Sequence, residues 1–191
     1  GIPLFIRCTT HPGLDGTVIS SVTEEVEPQV KGICMRNGLT LVSMDSVGMW
    51  HEVGFLARAF AVFSDNGVSV DLVSTSETNV TVSIDTPDGE PGEDILQGLV
   101  ADLEPLCKVR LITRCSAVSL VVRKIRTFLS RLAPALEVFE EERIHLMSQA
   151  ANDLNLSFVI DEQQGAKLVR KLHSSIIRKT GGSPAFGASW E

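Results

Sequence analysis

Apolar positions along this chain change their spacing repeatedly, and each change marks an element. Leu39–Asp45 (Leu-Thr-Leu-Val-Ser-Met-Asp) predicts a strand. From His51 to Asn66, Phe55, Leu56, Ala59, Phe60 and Phe63 recur at the three- and four-residue spacing of a helix with one buried face. Asn66-Gly67 suits a helix stop, because both residue types tolerate positive φ. Alternation follows, with Val68, Val70 and Leu72 on one face and Ser69, Asp71 and Val73 on the other. Val80, Val82 and Ile84 repeat it in the next strand. Pro87-Asp88-Gly89 predicts a turn, and a helix beginning near Glu93 carries Ile95, Leu96, Leu99 and Leu103. Val109–Ile112 closes this unit as a strand, giving the order strand, helix, strand, strand, helix, strand.

A second pass of the same pattern starts near Ala117. Val118–Val122 predicts a strand, and a helical stretch with Phe128, Leu129 and Leu132 meets Pro134, which kinks it or starts a new helix. Ile144–Ser148 and Leu154–Ile160 read as strands around an Asn152-Asp153 turn. The last helix runs from about Asp161, a suitable capping residue, to Arg178, and buries Ala166, Val169, Leu172 and Ile176. This unit lacks its final strand. Val30–Arg36 belongs to neither repeat and precedes Asn37-Gly38, a strong hairpin signal. If Val30–Arg36 closes the second sheet, the first unit is inserted into the second, and the fold is α+β, two ferredoxin-like βαββαβ units.

The predicted division is a connector at 1–29, a first domain at 39–115, a second built from 30–38 plus 116–179, and a Gly/Ser/Pro/Ala-rich linker tail at 180–191 that ends near Trp190. The connector contains a short strand (Leu4-Phe5-Ile6-Arg7) and a Thr-Thr-His-Pro-Gly loop. Lacking an initiator Met, the chain reads as a fragment or a processed form.

Charge narrows the range of partners. The formal net charge of −7 argues against nucleic acid, which needs clustered bases to displace counterions. No apolar stretch approaches the ~18 residues of a bilayer helix and no signal peptide is evident, so a cytoplasmic protein with no membrane partner is expected. The four cysteines (Cys8, Cys34, Cys107, Cys115) lack CxxC spacing and read as reduced, buried thiols. No histidine has a partner at metal-ligand spacing, and His145 and His173 read as solvated or strand-face residues. Ser64-Asp65-Asn66 and Lys179-Thr180-Gly181 match two of the three motifs of penicillin-recognising enzymes, but no SxxK accompanies them. No catalytic residue and no metal site is expected.

One constellation does suggest binding. Met49-Trp50-His51-Glu52-Val53-Gly54-Phe55-Leu56 stands where the first strand turns into the first helix. A helix start exposes unpaired N–H groups and attracts carboxylates, and Asp71 on the next strand could accept an ammonium group. Together they suggest an amino-acid pocket. On pattern alone the plainer alternative stays open: a Gly that permits close packing, and a solvated acid.

Residues 47–60 and 68–85, with Met-Trp-His-Glu-Val-Gly-Phe-Leu and then Val-Asp-Leu-Val-Ser-Thr-Ser-Glu, resemble the regulatory region of aspartate kinase, most closely the lysine-sensitive bacterial type. Ile2-Pro3 through Gly16-Thr17 is similar to the segment that ends the kinase domain of that family, and Lys-Leu-His-Ser-Ser near 171 extends the likeness. The resemblance implies two ACT domains, the first inserted into the second. It also implies a homodimer formed side by side through them, with the end-product amino acid, L-lysine, bound at the interface to inhibit aspartate phosphorylation. Carried over by motif position, the effector contacts are Met49, His51, Gly54, Phe55, Leu56, Val70, Asp71, Thr75, Ser76 and Glu77. Glu52 stands where relatives often have Ser, and Trp50 where they have a smaller aliphatic residue.

The kinase signature Lys-Phe-Gly-Gly-Thr/Ser is not found at an N-terminus here, so this piece is expected to be inactive alone. ATP and Mg would be held by the kinase domain of the parent chain, and no cofactor is expected in this fragment. Some relatives are fused to diaminopimelate decarboxylase. A ligand-free structural dimerisation module, or a sensor of threonine or another aspartate-family amino acid, are the alternatives.

Overall fold

The computed structural model describes residues 2–20, 30–49, 51–84, 91–122, 124–125, 143–149, 151–152 and 154–177. Two long strands carry its architecture. β1 (Leu4–Ile6) and β2 (Thr17–Ile19) form a small antiparallel ribbon with exposed apolar side chains. β3 (Val30–Asp45) and β6 (Lys108–Val122) run antiparallel along their whole length, from Val30 opposite Val122 to Asp45 opposite Lys108.

The other elements attach to one half or the other of this pair. Between β3 and β6 come α1 (Phe55–Asp65), β4 (Val70–Thr75), β5 (Asn79–Ile84) and α2 (Glu93–Leu103). After β6 come β7 (Ile144–Gln149), β8 (Asn155–Asp161) and α3 (Glu162–Leu172). The six-stranded sheet has the order β4-β5-β3-β6-β8-β7, and every neighbouring pair is antiparallel.

Each half of this sheet is a four-stranded ferredoxin-like arrangement. β5 pairs with Thr40–Asp45 of β3 on one side and with β4 on the other, and the first half of β6 closes that group. The second half of β6 pairs with β8 and, on its other side, with Val30–Arg36. The strand that completes the second unit therefore precedes the first unit in the chain, and the first unit is inserted into the second. The predicted strands Val109–Ile112 and Val118–Val122 are one continuous strand.

No hairpin forms at Asn37-Gly38, contrary to the sequence expectation. A turn there would fold β3 back on itself, whereas both of its halves find partners far away in sequence. The Gly38 φ of 74° is absorbed by an irregularity instead: the β3–β6 register shifts between Arg36 and Leu39 and again between Leu39 and Leu41. Arg114, with φ 55°, marks the facing distortion in β6. Ser116 donates to Asn37 Oδ1 at 2.7 Å across this point.

Side-chain alternation separates two layers of core. On one face, Val42, Met44, Val80, Val82 and Ile84 pack under Phe55, Ala59 and Phe63 of α1 and Leu99 and Leu103 of α2. In the second half, Val118, Leu120, Leu156, Phe158 and Ile160 pack under Leu168 and Leu172 of α3. Each such large side chain contributes about 1.5–3 kcal/mol by leaving water. The opposite face holds Leu39, Leu41, Cys115, Ala117, Leu146 and Val159, with Leu72 and Ile112 against them and, among the described residues, no helix. Leu39 and Leu41 alternate with Val42 and Met44 on β3, and Ala117 alternates with Val118 on β6, so α1, α2 and α3 share one face of the sheet.

Local signals act with small displacements. α1 begins at Phe55 rather than His51, after a 3-10 turn at Val47–Met49. It ends in a Schellman motif: Gly67 N–H donates to Ser64 O at 3.0 Å and Val68 N–H to Phe63 O at 2.8 Å, with Gly67 at φ 67°. Asn66 itself keeps a negative φ of −84°. Val70 packs with the helix-side core but Leu72 with the opposite layer, contrary to their expected common face. The cause is a register shift between Val70 and Val73, where the Leu72 N–H donates to Ser83 Oγ at 2.9 Å instead.

In α3 the buried positions are Gly165, Leu168 and Leu172, while Ala166 is exposed and Val169 and Ile176 are only partly buried. α3 gives way to a π-helical turn at His173–Ile177. Ile95 of α2 is likewise exposed. The Pro87-Asp88-Gly89 turn, the helix around Phe128 and Pro134, and the 180–191 tail lie outside the described residues. Of the cysteines only Cys115 is buried. Cys8 and Cys107 are half-buried, Cys34 is exposed, and all four are free thiols. Among the described residues, no helix is long and apolar enough to cross a membrane.

Candidate functional site

The segment between β3 and α1 descends into the helix through two left-handed residues, His51 at φ 63° and Gly54 at φ 83°. Gly54 occupies the N-cap with ψ 5° and has no side chain to cap the helix. The Phe55 N–H reaches back to Glu52 O at 3.4 Å and the Arg58 N–H to Gly54 O at 3.1 Å. By helix geometry, the Leu56 and Ala57 N–H groups between them point out of the first turn. A side chain at Gly54 would strain this geometry, although among the described residues the only atom near its Cβ position is Arg58 Nη1 at 3.8 Å.

A cavity of about 360 Å³ opens at this helix start. On one side it is walled by Met49, Glu52, Gly54, Phe55 and Leu56, and on the other by Thr75, Ser76 and Glu77 from the end of β4 and the turn that follows. That turn is tightly held. Ser76 N–H donates to Asn79 O at 2.8 Å, and Asn79 N–H donates to Ser76 Oγ at 3.2 Å. Asn79 Nδ2 donates to Ser43 Oγ at 2.9 Å and to Asp45 Oδ1 at 2.7 Å, anchoring the turn to β3.

The cavity thus combines a helix start on one wall with the carboxylates of Glu52 and Glu77. The helix start favours an anion, and the acids favour a cation. Glu52 also pairs with Arg58, one turn up α1. Sequence reasoning flagged Glu52 without giving it a contact, and it passed over Arg58. Their spacing of six residues matches no helical pairing, and it is the tight turn before α1 that brings them together.

Seven of the ten motif positions meet here: Met49, Gly54, Phe55, Leu56, Thr75, Ser76 and Glu77. The other three do not line the cavity. They are His51, which is exposed, Val70, which packs into the helix-side core, and Asp71; Trp50, which is not one of the ten, lies outside the described residues. Asp71 stands four residues before Thr75, about 13 Å away along an extended strand. It pairs with Arg36 and lines a different cavity, of about 230 Å³, on the helix-free side of the sheet. A larger cavity of about 640 Å³ between α2 and the first half of β6 is mainly apolar, with Leu96, Val100 and Leu111 in its walls.

Among the described residues, no group of three or more His, Cys, Asp or Glu stands close enough to hold a metal ion. Of the two readings of His145, the strand-face one holds: it stands on β7 with its side chain 5% exposed, and Nε2 lies 2.8 Å from Asp161 Oδ1. Asp161 therefore spends its carboxylate on His145 and makes no side-chain bond to the helix it precedes.

Residues 42–97, which include both walls of the cavity, match the ACT domain family. The chain is 29% identical over 177 residues to lysine-sensitive aspartokinase 3 of Escherichia coli, covering 92% of this chain and 39% of that protein. It therefore spans about two-fifths of the length of that relative. The E. coli aspartokinase III structure with aspartate and ADP (R-state) superposes with a TM-score of 0.76 at 29% identity, over 92% of this chain and 40% of that one. The structure of the same enzyme with lysine and aspartate (T-state) superposes at 0.71 and 27% identity, over 92% and 39%.

Proposed function

We propose, for a chain that is an ACT-containing regulatory region of the aspartokinase type, that the cavity at the start of α1 binds the end-product L-lysine and so lowers the activity of an attached aspartate kinase. The observation that carries this reading is the pairing, in one cavity, of a helix N-terminus with the acid Glu77, Glu52 being held by Arg58. An amino acid with a cationic side chain matches both: its carboxylate suits the N–H groups of the first turn, and an ammonium group suits Glu77. A relative of known structure is named for its complex with lysine and aspartate, which supports the choice of ligand.

The remaining motif acid, Asp71, joins such a site through a second copy of the chain. β4 is an edge of the sheet. An antiparallel pairing of two β4 strands about a two-fold axis at Val73 sets Asp71 opposite the partner's Thr75, beside that copy's cavity. Val47, Val53, Leu56 and Val73 are 90%, 95%, 43% and 38% exposed, an apolar set at the cavity and the β4 edge that such a dimer would cover. In this reading the parent protein transfers phosphate from ATP to aspartate, with ATP and Mg held by its kinase portion. Lysine acts by binding one arrangement of the dimer better than another, since a ligand indifferent to conformation shifts nothing.

Isothermal titration of L-lysine into the chain, with L-threonine as control, tests the site. Saturable lysine heat at about one site per chain is expected. Glu77→Gln should weaken binding roughly tenfold, the scale of ~1–3 kcal/mol for an ammonium left without its partner. Heat with threonine alone would reassign the effector. No heat with either, from a folded dimer, would favour a structural dimerisation module.

A further inference from the structure

Asp71 is already engaged in this chain, and its partner lies on the other unit. The Arg36 guanidinium donates to Asp71 Oδ2 across 35 residues of sequence. Arg36 belongs to the Val30–Arg36 half of β3, opposite Ala117 in the second unit, immediately before the register shift that separates the two halves. Asp71 belongs to β4, the outer strand of the first unit. The pair bridges the helix-free side of the sheet and lines the cavity of about 230 Å³ there. The two side chains are 47% and 45% exposed, so water reaches the pair and it can open without disturbing the core.

We propose that Arg36 competes with the effector for the Asp71 carboxylate, so that Arg36 sets effector affinity and opening of this pair links the bound effector to the second unit. The proposal rests on the reading above, in which Asp71 receives an ammonium group of lysine. A carboxylate shared by a guanidinium and an ammonium would hold two cations within a few ångströms, and their repulsion opposes the shared state. Lysine binding therefore proceeds with release of Arg36, and the strength of the lost pair is subtracted from the affinity. For a solvent-exposed pair this is a factor of up to about five. Release also removes a tie between β4 and β3 on the helix-free side, next to the distortion at Gly38 and Arg114.

The test is titration of L-lysine into the wild-type chain, Arg36→Ala, Arg36→Lys, Asp71→Asn and the Arg36→Ala/Asp71→Asn double variant. Arg36→Ala should bind lysine two- to fivefold more tightly than wild type, and Arg36→Lys should lie between the two. Asp71→Asn should bind more weakly, and adding Arg36→Ala to it should bring no gain, since the competition needs both partners. Saturable wild-type binding with Arg36→Ala unchanged or weaker would overturn the role of Arg36 while leaving the effector site standing. A gain from Arg36→Ala that persists in the Asp71→Asn background would also overturn it, because the effect would not run through Asp71. A wild-type chain that binds no lysine would overturn the effector reading and this inference with it.

Discussion

Cys8 shows how two neighbouring residues can change the chemistry of a side chain. Its thiol sits 3.1 Å from Thr10 Oγ1 and 3.9 Å from His11 Nδ1. Hydrogen bonds from Thr10 and then His11 stabilise the thiolate and lower its pKa from 9.0 to about 7. Cys107 moves the other way, pushed up by burial and by the negative charge of Asp45. Because the Cys8 value is lowered, its reactive form accumulates as pH rises through about 7. Iodoacetamide labelling followed by mass spectrometry should therefore show Cys8 modified at a rate that climbs between pH 6 and 8 and then levels, with Cys107 labelled only at higher pH. Equal pH profiles for the two thiols would remove the basis for this assignment. The spacing Cys-Thr-Thr-His carries no such signal in sequence, since neither helix nor strand periodicity brings these three groups together.

Among the elements, the approach of α3 to the sheet depends on one missing side chain. A Cβ on Gly165 would stand 2.8 Å from Met35 Sδ and 3.3 Å from Ser116 Cβ and Oγ. Met35 and Ser116 belong to the two long strands at the junction of the halves, so Gly165 is where the helix of the second unit rests on both. Gly165→Ala should destabilise by about 1–3 kcal/mol through overpacking, read as a lower urea midpoint. Met35→Ala should recover part of that loss, because a flexible thioether is the nearest obstacle. Periodicity misplaced this contact: reading Ala166, Val169, Leu172 and Ile176 as the buried stripe rotated the helix away from Gly165 and Leu168. A glycine scores as a helix weakener in sequence, and only the packed neighbour explains its place.

For the whole molecule, the edge of β4 is the feature with the largest consequence. An apolar edge strand invites pairing with another chain, and the effector reading requires that pairing. Val73→Lys should leave the fold intact, since Val73 is exposed, yet shift a dimer toward monomer in light scattering and weaken lysine binding in parallel. A variant that remains dimeric with unchanged lysine affinity would move the interface elsewhere. If Asp71 acts in a neighbouring copy's site, monomerisation and loss of Asp71 should resemble each other in titration.

Sequence alone determined the kinds of element and their repeat. Alternation at Val80, Val82 and Ile84, helical spacing through Phe55, Ala59 and Phe63, and the stop at Gly67 are local consequences of side-chain geometry, and they survive any packing. The doubled βαββαβ pattern, with one strand short, also led to the insertion of one unit in the other, because an unclosed sheet needs a partner strand and Val30–Arg36 was available. Tertiary structure decided what depends on distant partners. It turned Asn37-Gly38 from a hairpin into a distortion within one long strand, because each half of β3 gains more from β5 and β6 than from folding back. It joined two predicted strands into β6 for the same reason. It also divided the motif acids, placing Glu77 at the helix start and Asp71 against Arg36, since four residues of extended strand carry Asp71 about 13 Å from Thr75 in the cavity wall, more than a single ligand pocket can span.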